Sequence, residues 1–297
     1  MSSPSRPTRL PRWLKRNIPL GSAGRVSAET AALIDELRLN TVCRHAGCPN
    51  RMECYAQHTA TFMILGEICT RGCRFCGVTT GAPDPPEPDE PQRVAEAARR
   101  LGLRHVVVTC VTRDDLPDGG AGHFVETVRT VREATRDDTD QPATVEVLPS
   151  DFHGNADAVL QVVDARPDVY NHNTETVPRL FHVARDRRTD PRWTLEMFRR
   201  IRRRDSRMRI KTGMMLGLGE TTAEVIDWLA ALHEAGCTLL TLGQYLQPNP
   251  RCLPVARYVE PDEFDRLGEL ARRIGFEQVA AGPFVRSSYH AREMLVD

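Results

Sequence analysis

Six of the chain's nine cysteines lie between positions 43 and 76, and no other feature limits the possible structures so tightly. Cys43, Cys48 and Cys54 form a C-x4-C-x5-C set; Cys69, Cys73 and Cys76 form C-x3-C-x2-C. An odd cysteine total and no secretory signal argue against a disulfide framework. Thiols clustered in this way point to metal, and two complete triplets more readily build two centres than one. Zinc is the simpler alternative. Cys73-x-x-Cys76 alone would suit it, and His45 could complete a zinc site with the first triplet. The second triplet, however, has no local His at zinc spacing. A tight loop can fold three thiolates around one four-iron cubane, leaving one iron open to a ligand. Cys110, Cys237 and Cys252 are scattered and read as buried or incidental thiols.

The rest of the chain reads as a parallel α/β protein. Apolar runs at Thr61–Leu65, His105–Thr109, Thr144–Leu148, Asp168–His172, Ile210–Leu216 and Leu239–Tyr245 are continuous rather than alternating, as strands covered on both faces require. Between them lie segments with helical apolar spacing, such as Val94, Ala97, Ala98, Leu101 and Val225, Trp228, Leu229, Leu232. Six β–α units fall short of the eight of a closed barrel, so the expected fold is an incomplete (β/α)6 TIM-like barrel. Its chemistry would sit at the C-terminal ends of the strands. The expected division is an N-terminal extension over 1–58, the barrel over 59–275 and a C-terminal segment over 276–297.

Bulk properties exclude more than they assign. Formal net charge is zero, so no global field draws nucleic acid. No apolar run approaches the roughly 20 residues that span a bilayer. Arg6, Arg9, Arg12, Lys15, Arg16 and Arg25 give the start a basic character. With no apolar core and no clear amphipathic helix, it reads as a basic tail rather than a transit peptide. The expected location is cytoplasmic.

The C-x3-C-x2-C set in ICTRGCRFCGV, placed after the first strand, resembles the radical S-adenosylmethionine (SAM) superfamily. So does Gly213-x-x-x-Gly217-x-x-Glu220 after the fifth. The upstream C-x4-C-x5-C narrows the resemblance to the lipoyl synthase family. TRDDLPDGGAGHF, NHNTETVPRL, TLGQYLQP, LPVARYVEPDEF and GPFVRSSYHA are similar as well, so the likeness runs from about Arg12 to the C-terminus.

The resemblance implies a sulfurtransferase that inserts two sulfur atoms at C6 and C8 of a protein-bound octanoyl group. It implies two [4Fe-4S] clusters and SAM as cofactors. Cys69, Cys73 and Cys76 would hold the SAM-binding cluster. Cys43, Cys48 and Cys54 would hold an auxiliary, sacrificial cluster, with Ser288 as fourth ligand and Ser287 as the alternative. Asn171, Asn173, Glu175, Gly217 and Glu220 would bind SAM or orient substrate. The implied partners are an octanoylated lipoyl-carrier domain or H-protein, an electron donor such as ferredoxin or flavodoxin, and an iron–sulfur carrier; a monomer is expected.

Asp114, Asp115 and Asp118 could suggest a magnesium site but read as a shaped loop near SAM. Gln244 and Tyr245 would face the site. Glu146, an inward acid in mid-strand, needs a partner such as an Arg. The chain departs from the family at Cys110, at Asn249 and Cys252, and near His182 to Arg187. Three other readings compete. A biotin-synthase-like enzyme would lack the first triplet, a zinc or redox-sensing protein would not cleave SAM, and a degenerate relative would carry clusters without lipoylation.

Overall fold

In the computed structural model, the continuous Val-, Ile-, Leu- and Thr-rich runs form one sheet of parallel strands. These are β1 (Thr61–Ile64), β2 (His105–Cys110), β3 (Thr144–Leu148), β4 (Val169–Asn171), β5 (Arg209–Leu216), β6 (Leu239–Gln244) and β7 (Gln278–Gly282). Each pairs with the next in chain order, and β1 does not pair with β7, so the barrel is open. Residues 10–15, 21–57, 59–136, 141–289 and 291–295 are described. Arg6, Arg9 and Arg16 of the basic segment and His290 of the C-terminal motif lie outside them.

Six strands match the apolar runs. The seventh, β7, does not come from such a run: its sequence is QVAAG, and Ala and Gly have little strand preference of their own. It is a strand because β6 pairs with it, from Leu239 opposite Gln278 to Gly243 opposite Gly282.

The helices pack outside the sheet. They are α1 (Ser22–Glu36), α2 (Val42–His45), α3 (Arg51–Ala56), α4 (Glu90–Arg100), α5 (Ala121–Ala134), α6 (Ala156–Asp164), α7 (Phe181–Ala184), α8 (Pro191–Arg204), α9 (Thr222–Glu234) and α10 (Pro261–Ile274). Val94, Ala97 and Ala98 of α4 and Val225, Trp228, Leu229 and Leu232 of α9 are buried, as the spacing requires. Local chemistry sets the helix starts. Thr221 and Glu224 form a reciprocal capping box at α9, and Asp190 caps α8 ahead of Pro191.

The described segments before β1 and after β7 are fastened to the barrel. Before β1, Thr41 bridges to Phe62, and Met63 N donates to Asn40 O at 2.9 Å, covering the β1 edge. After β7, Asn50 Nδ2 donates to Phe284 O at 2.8 Å, and Tyr289 Oη donates to the Glu53 carboxylate at 2.7 Å. The C-terminal segment thus meets the N-terminal one across the opening. The final turn reaches the N-terminal ends of the strands. There Met294 packs with Val169 and Leu239, and Arg209 donates to Leu295 O at 2.8 Å.

The barrel interior holds a buried ion pair. Lys211 Nζ lies 3.0 and 3.1 Å from the two Glu146 oxygens. The inward acid's partner is therefore one of the chain's two lysines rather than an Arg. A lysine suits this position, since its charge sits at the end of an apolar stem that reaches across the interior.

Candidate functional site

All six clustered cysteines line one cavity of about 410 Å³, together with Ser287 and Ser288. It lies over the C-terminal ends of the strands, where the register aligns Ile64 with Cys110 and Leu216 with Gln244. The thiols are all free.

The second triplet occupies a closed loop. Ile68–Cys69 pairs with Thr79–Thr80 in a short parallel ladder, and Gly81 N donates to Cys69 O at 3.0 Å, forming its neck. Buried Arg71 pins the loop to the strand ends. Its guanidinium donates to Asp114 and to Asp151, each at 2.7 Å. From the α7–α8 connection, Asp186 accepts from Gly72 N at 2.8 Å and Arg188 donates to Thr70 O at 2.6 Å. The acids of the DDLPDGGA loop are similarly engaged. Asp114 holds Arg71, Asp115 pairs with Arg113 at 2.8 Å, and Asp118 accepts from Gly120 N and Gly122 N. They shape the loop and leave no acid pair for magnesium.

Backbone N–H groups point at the sulfurs. Arg71 N and Thr112 N lie 3.4 and 3.3 Å from Cys69 Sγ, and Asp186 N lies 3.3 Å from Cys73 Sγ. These donors favour thiolate over thiol. Burial acts the other way. It pushes the Cys43 thiol up to about 11 and the Cys76 thiol up to about 12, and raises Cys73 as well. Buried thiols of this kind ionise when a cation sits beside them, as cluster iron would.

For the first triplet, Cys43 lies on α2, Cys48 in the following turn and Cys54 on α3. Thr61 joins this set to the tail. Its hydroxyl donates to Ser288 Oγ at 2.7 Å, and Thr61 lies beside Cys43, where it opposes the effect of burial on that thiol. His45 is not available as a zinc ligand, because Nδ1 meets Thr41 O at 3.0 Å and Nε2 meets Glu67 at 3.2 Å. Among the described residues no group of three His, Cys, Asp or Glu side chains could hold a single ion. Cubane ligands bind separate irons and stand further apart. Two three-thiolate sets, the second with N–H donors aimed at its sulfurs, fit two such clusters.

A small-molecule subsite adjoins the second triplet. His172, Asn173, Glu175, Arg185 and Met215 line the same cavity. Burial lowers the His172 imidazole to about 4. It is therefore neutral, with Nδ1–H donated to Pro149 O at 3.1 Å, which leaves Nε2 as an acceptor without a partner among the described residues. Burial also raises the Glu175 carboxyl, with Arg185 opposing that shift. An unmatched acceptor and a desolvated carboxyl thus lie side by side at this part of the cavity.

Three other expected residues sit outside the cavity wall. Asn171 lies beneath it, its amide donating to Glu146 and Ser287. Glu220 accepts from Gly217 N and Leu218 N at 2.6 and 2.9 Å. Gly217 has φ 101°, and a Cβ there would collide with Gln244 and the Arg257 carbonyl. Together they hold the turn that follows Met215. Gln244 is likewise structural, accepting from Val259 N and donating to three carbonyls, whereas Tyr245 does line the cavity.

The radical SAM superfamily model matches residues 63–232. A lipoyl synthase from Rhodopirellula baltica is 55% identical over 287 residues, covering 96% of this chain and 88% of that protein. The chain belongs to the lipoyl synthase family. A second lipoyl synthase, from Caldanaerobacter subterraneus subsp. tengcongensis, is 50% identical over 283 residues, covering 95% of this chain and 96% of that protein. Among solved structures, methylornithine synthase covers 88% of this chain and 85% of its own at TM-score 0.53 and 12% identity. HydG, a maturase of the [FeFe]-hydrogenase, covers 93% and 73% at TM-score 0.55 and 14% identity. At such identities the likeness is one of fold.

As a lipoyl synthase family member, the chain uses SAM and [4Fe-4S] clusters, and its departures from the family can now be placed. Cys110 and Cys252 are buried thiols, as read, and both also border the site. Cys110 lines the cavity, and Cys252 Sγ donates to Cys76 O at 3.3 Å. Cys237 is a core thiol, bonded to Ile210 O at 3.4 Å. Near His182 to Arg187, the variant segment supplies Asp186, whose N–H reaches Cys73. Sequence reasoning missed Arg71, Arg185 and Asp186. Arg71 and Arg185 stood inside quoted or neighbouring segments, but nothing in their spacing marked them. Asp186 acts partly through its backbone, which no side-chain pattern reveals.

That N–H gives a testable prediction, because hydrogen bonds to cluster sulfurs raise the reduction potential. Arg185 is already extended (φ −93°, ψ 167°), which suits a following proline. Asp186→Pro will lower the midpoint potential of the SAM-binding cluster relative to Asp186→Ala, as read by redox titration with EPR detection. Equal potentials would show that the donor has no effect.

Proposed function

We propose that the chain inserts two sulfur atoms at C6 and C8 of an octanoyl group carried on a lysine of a lipoyl-carrier domain or H-protein, giving the lipoyl cofactor. The observation that carries this reading is that both cysteine triplets and Ser288 face one cavity.

In this reading Cys69, Cys73 and Cys76 hold the SAM-binding cluster, and Cys43, Cys48, Cys54 and Ser288 hold the auxiliary one. When bound, these groups supply the electron that cleaves SAM and the sulfur that is transferred. The need for them follows from the substrate. C6 and C8 are unactivated, nothing stabilises a carbanion there, and no side-chain base can begin the reaction. The chain's own residues bind and orient. His172, Asn173, Glu175 and Arg185 wall the part of the cavity beside the second triplet, where Glu175 would accept an N–H from the amino group of SAM. Val78, Val111, Leu148, Met215 and Leu246 of the cavity wall supply apolar surface for the acyl chain and exclude water from the reacting carbons. Gly217 and Glu220 act indirectly, by holding the turn after Met215.

Ser288 is preferred to Ser287 because of hydrogen-bond capacity. Ser287 Oγ accepts from Asn171 and donates to Asn173 Oδ1 at 2.8 Å. Ser288 Oγ accepts from Thr61 beside Cys43, and its own proton can leave when metal binds.

The reading divides the chain into an N-terminal extension (1–58), the barrel (59–275) and a C-terminal segment (276–297). It further proposes a cytoplasmic monomer, reduced by a ferredoxin or flavodoxin and reloaded by an iron–sulfur carrier. A reducing compartment is what free thiols need. The test is mass spectrometry of an octanoyl-lysyl peptide after anaerobic incubation with reconstituted protein, SAM and reductant. A gain of two sulfur atoms is expected. SAM cleavage without sulfur gain would overturn the substrate.

Glu175 allows a separate check. Burial raises its folded-state pKa, so its ionisation costs stability as pH rises from the unfolded value through the folded one. Glu175→Gln removes that cost. The apo protein will melt a few degrees higher at pH 7, while its affinity for SAM falls. Melting curves and equilibrium binding read the two effects, and unchanged SAM affinity would remove Glu175 from the site.

A further inference from the structure

We infer that Asn171 and Ser287 form a latch that positions Ser288 against the first cysteine triplet; this rests on the reading of Ser288 as a ligand of the auxiliary cluster.

Ser287 and Ser288 are the two central residues of one turn, closed by Tyr289 N donating to Arg286 O at 3.0 Å. Fixing one therefore fixes the other. Ser287 faces the barrel interior, where every hydrogen-bond direction is determined. The Glu146 carboxylate, charged and paired with Lys211, can only accept. It therefore takes the amide N–H of Asn171, at 2.7 Å, and sets which way that amide points. The same nitrogen donates its second hydrogen to Ser287 Oγ at 2.7 Å. Ser287 then donates to Asn173 Oδ1 at 2.8 Å. The serine's single proton and one of its acceptor sites are committed, and the order begins at a buried ion pair that cannot reorient without leaving a charge unmatched.

Ser288 is held on the other side by Thr61, which also contacts Cys43. The tail has no slack just before this turn. A Cβ at Gly243 would collide with the Val285 carbonyl oxygen, so the backbone lies directly on β6. The turn is clamped between the interior pair and α3, and it presents Ser288 to the triplet already oriented. Asn171 and Ser287 are positioning residues, acting through the turn.

The test uses full-length protein carrying Cys69→Ala, so that the auxiliary cluster is observed alone. Ser287→Ala and Asn171→Ala are expected to speed the release of auxiliary-cluster iron to a ferrous chelator by about tenfold, as supporting partners of metal ligands do. The double variant is expected to be no faster than either single one. Ser287→Thr, which keeps the hydroxyl, restores slow release and separates loss of the latch from general damage. Mössbauer spectra of the four irons report the ligand directly. Ser288→Ala changes one iron site completely, whereas Ser287→Ala gives a mixture of the parent spectrum and that of Ser288→Ala. Parent release rates and spectrum in Ser287→Ala, with Ser288→Ala changed, would overturn the latch and leave the ligand assignment standing. Ser288→Ala identical to the parent would overturn the ligand assignment and the latch with it.

Discussion

Cys69→Ala will yield a protein with about half the iron of the parent, no SAM cleavage and no sulfur transfer. Cys43→Ala will also lose about half the iron, but it will still cleave SAM while transferring no sulfur. The asymmetry follows from the architecture. The second triplet is a closed loop with its own neck at Cys69 and Gly81, pinned by Arg71, Asp186 and Arg188. The first triplet is built on α2 and α3 of the N-terminal extension. In the proposed reading neither loop supplies ligands to the other, so each set would empty alone. Iron analysis, anaerobic chromatography of SAM products and peptide mass spectrometry distinguish the cases. Loss of SAM cleavage in Cys43→Ala would mean that the two centres do not assemble independently.

The second large effect is on stability. Lys211→Ala removes one partner of a fully buried pair, leaving Glu146 charged in the barrel interior. Such a change costs about 3–5 kcal/mol. The sign with pH is informative. In the parent, Lys211 and its neighbours hold Glu146 below the usual carboxylate range against the effect of burial. The pair's contribution is present above the unfolded carboxylate value and is lost as pH falls through the lower folded one. Without Lys211, burial prevails and the folded pKa rises. Lys211→Ala will therefore gain stability on acidification from pH 7 to pH 5, while the parent gains none from this group. Denaturant titration at the two pH values measures it. Glu146→Gln in combination with Lys211→Met, which buries no charge, is expected to recover most of the loss. Parallel pH profiles for parent and Lys211→Ala would mean that Glu146 is not ionised.

Much of this architecture was legible in the sequence, for identifiable physical reasons. Strands buried on both faces must be apolar throughout, so six of the seven were visible as runs. The cysteine spacings were visible because ligands on one short loop must be close in sequence. What was hidden depends on contacts between distant segments. The strand Gln278–Gly282 is made by its neighbour. Glu146 signalled only that a cation was needed, and the choice of Lys211 required knowing that β3 and β5 flank β4 and turn these side chains to the same face. Asn171, expected at the cofactor, is instead turned to Glu146 and Ser287, because a residue at the end of a short strand can point above or below the cavity floor. Ser287 and Ser288 are adjacent and chemically identical; only their hydrogen-bond partners separate them.

The tail that runs from the cavity to the far ends of the strands also bears on timing during synthesis. Cys69, Cys73 and Cys76 leave the ribosome with most of the barrel still to be made, and their loop closes on itself. In the proposed reading the other set combines cysteines placed before β1 with Ser288, placed after β7, so its last member is made only after the whole sheet. A nascent chain can therefore hold the thiolates of its second triplet in place well before a four-cornered first site exists. A protein that delivered the auxiliary cluster would then meet a chain whose sheet is already made. In the same reading a chain ending before Ser288 would keep the second-triplet loop and lack a complete auxiliary site.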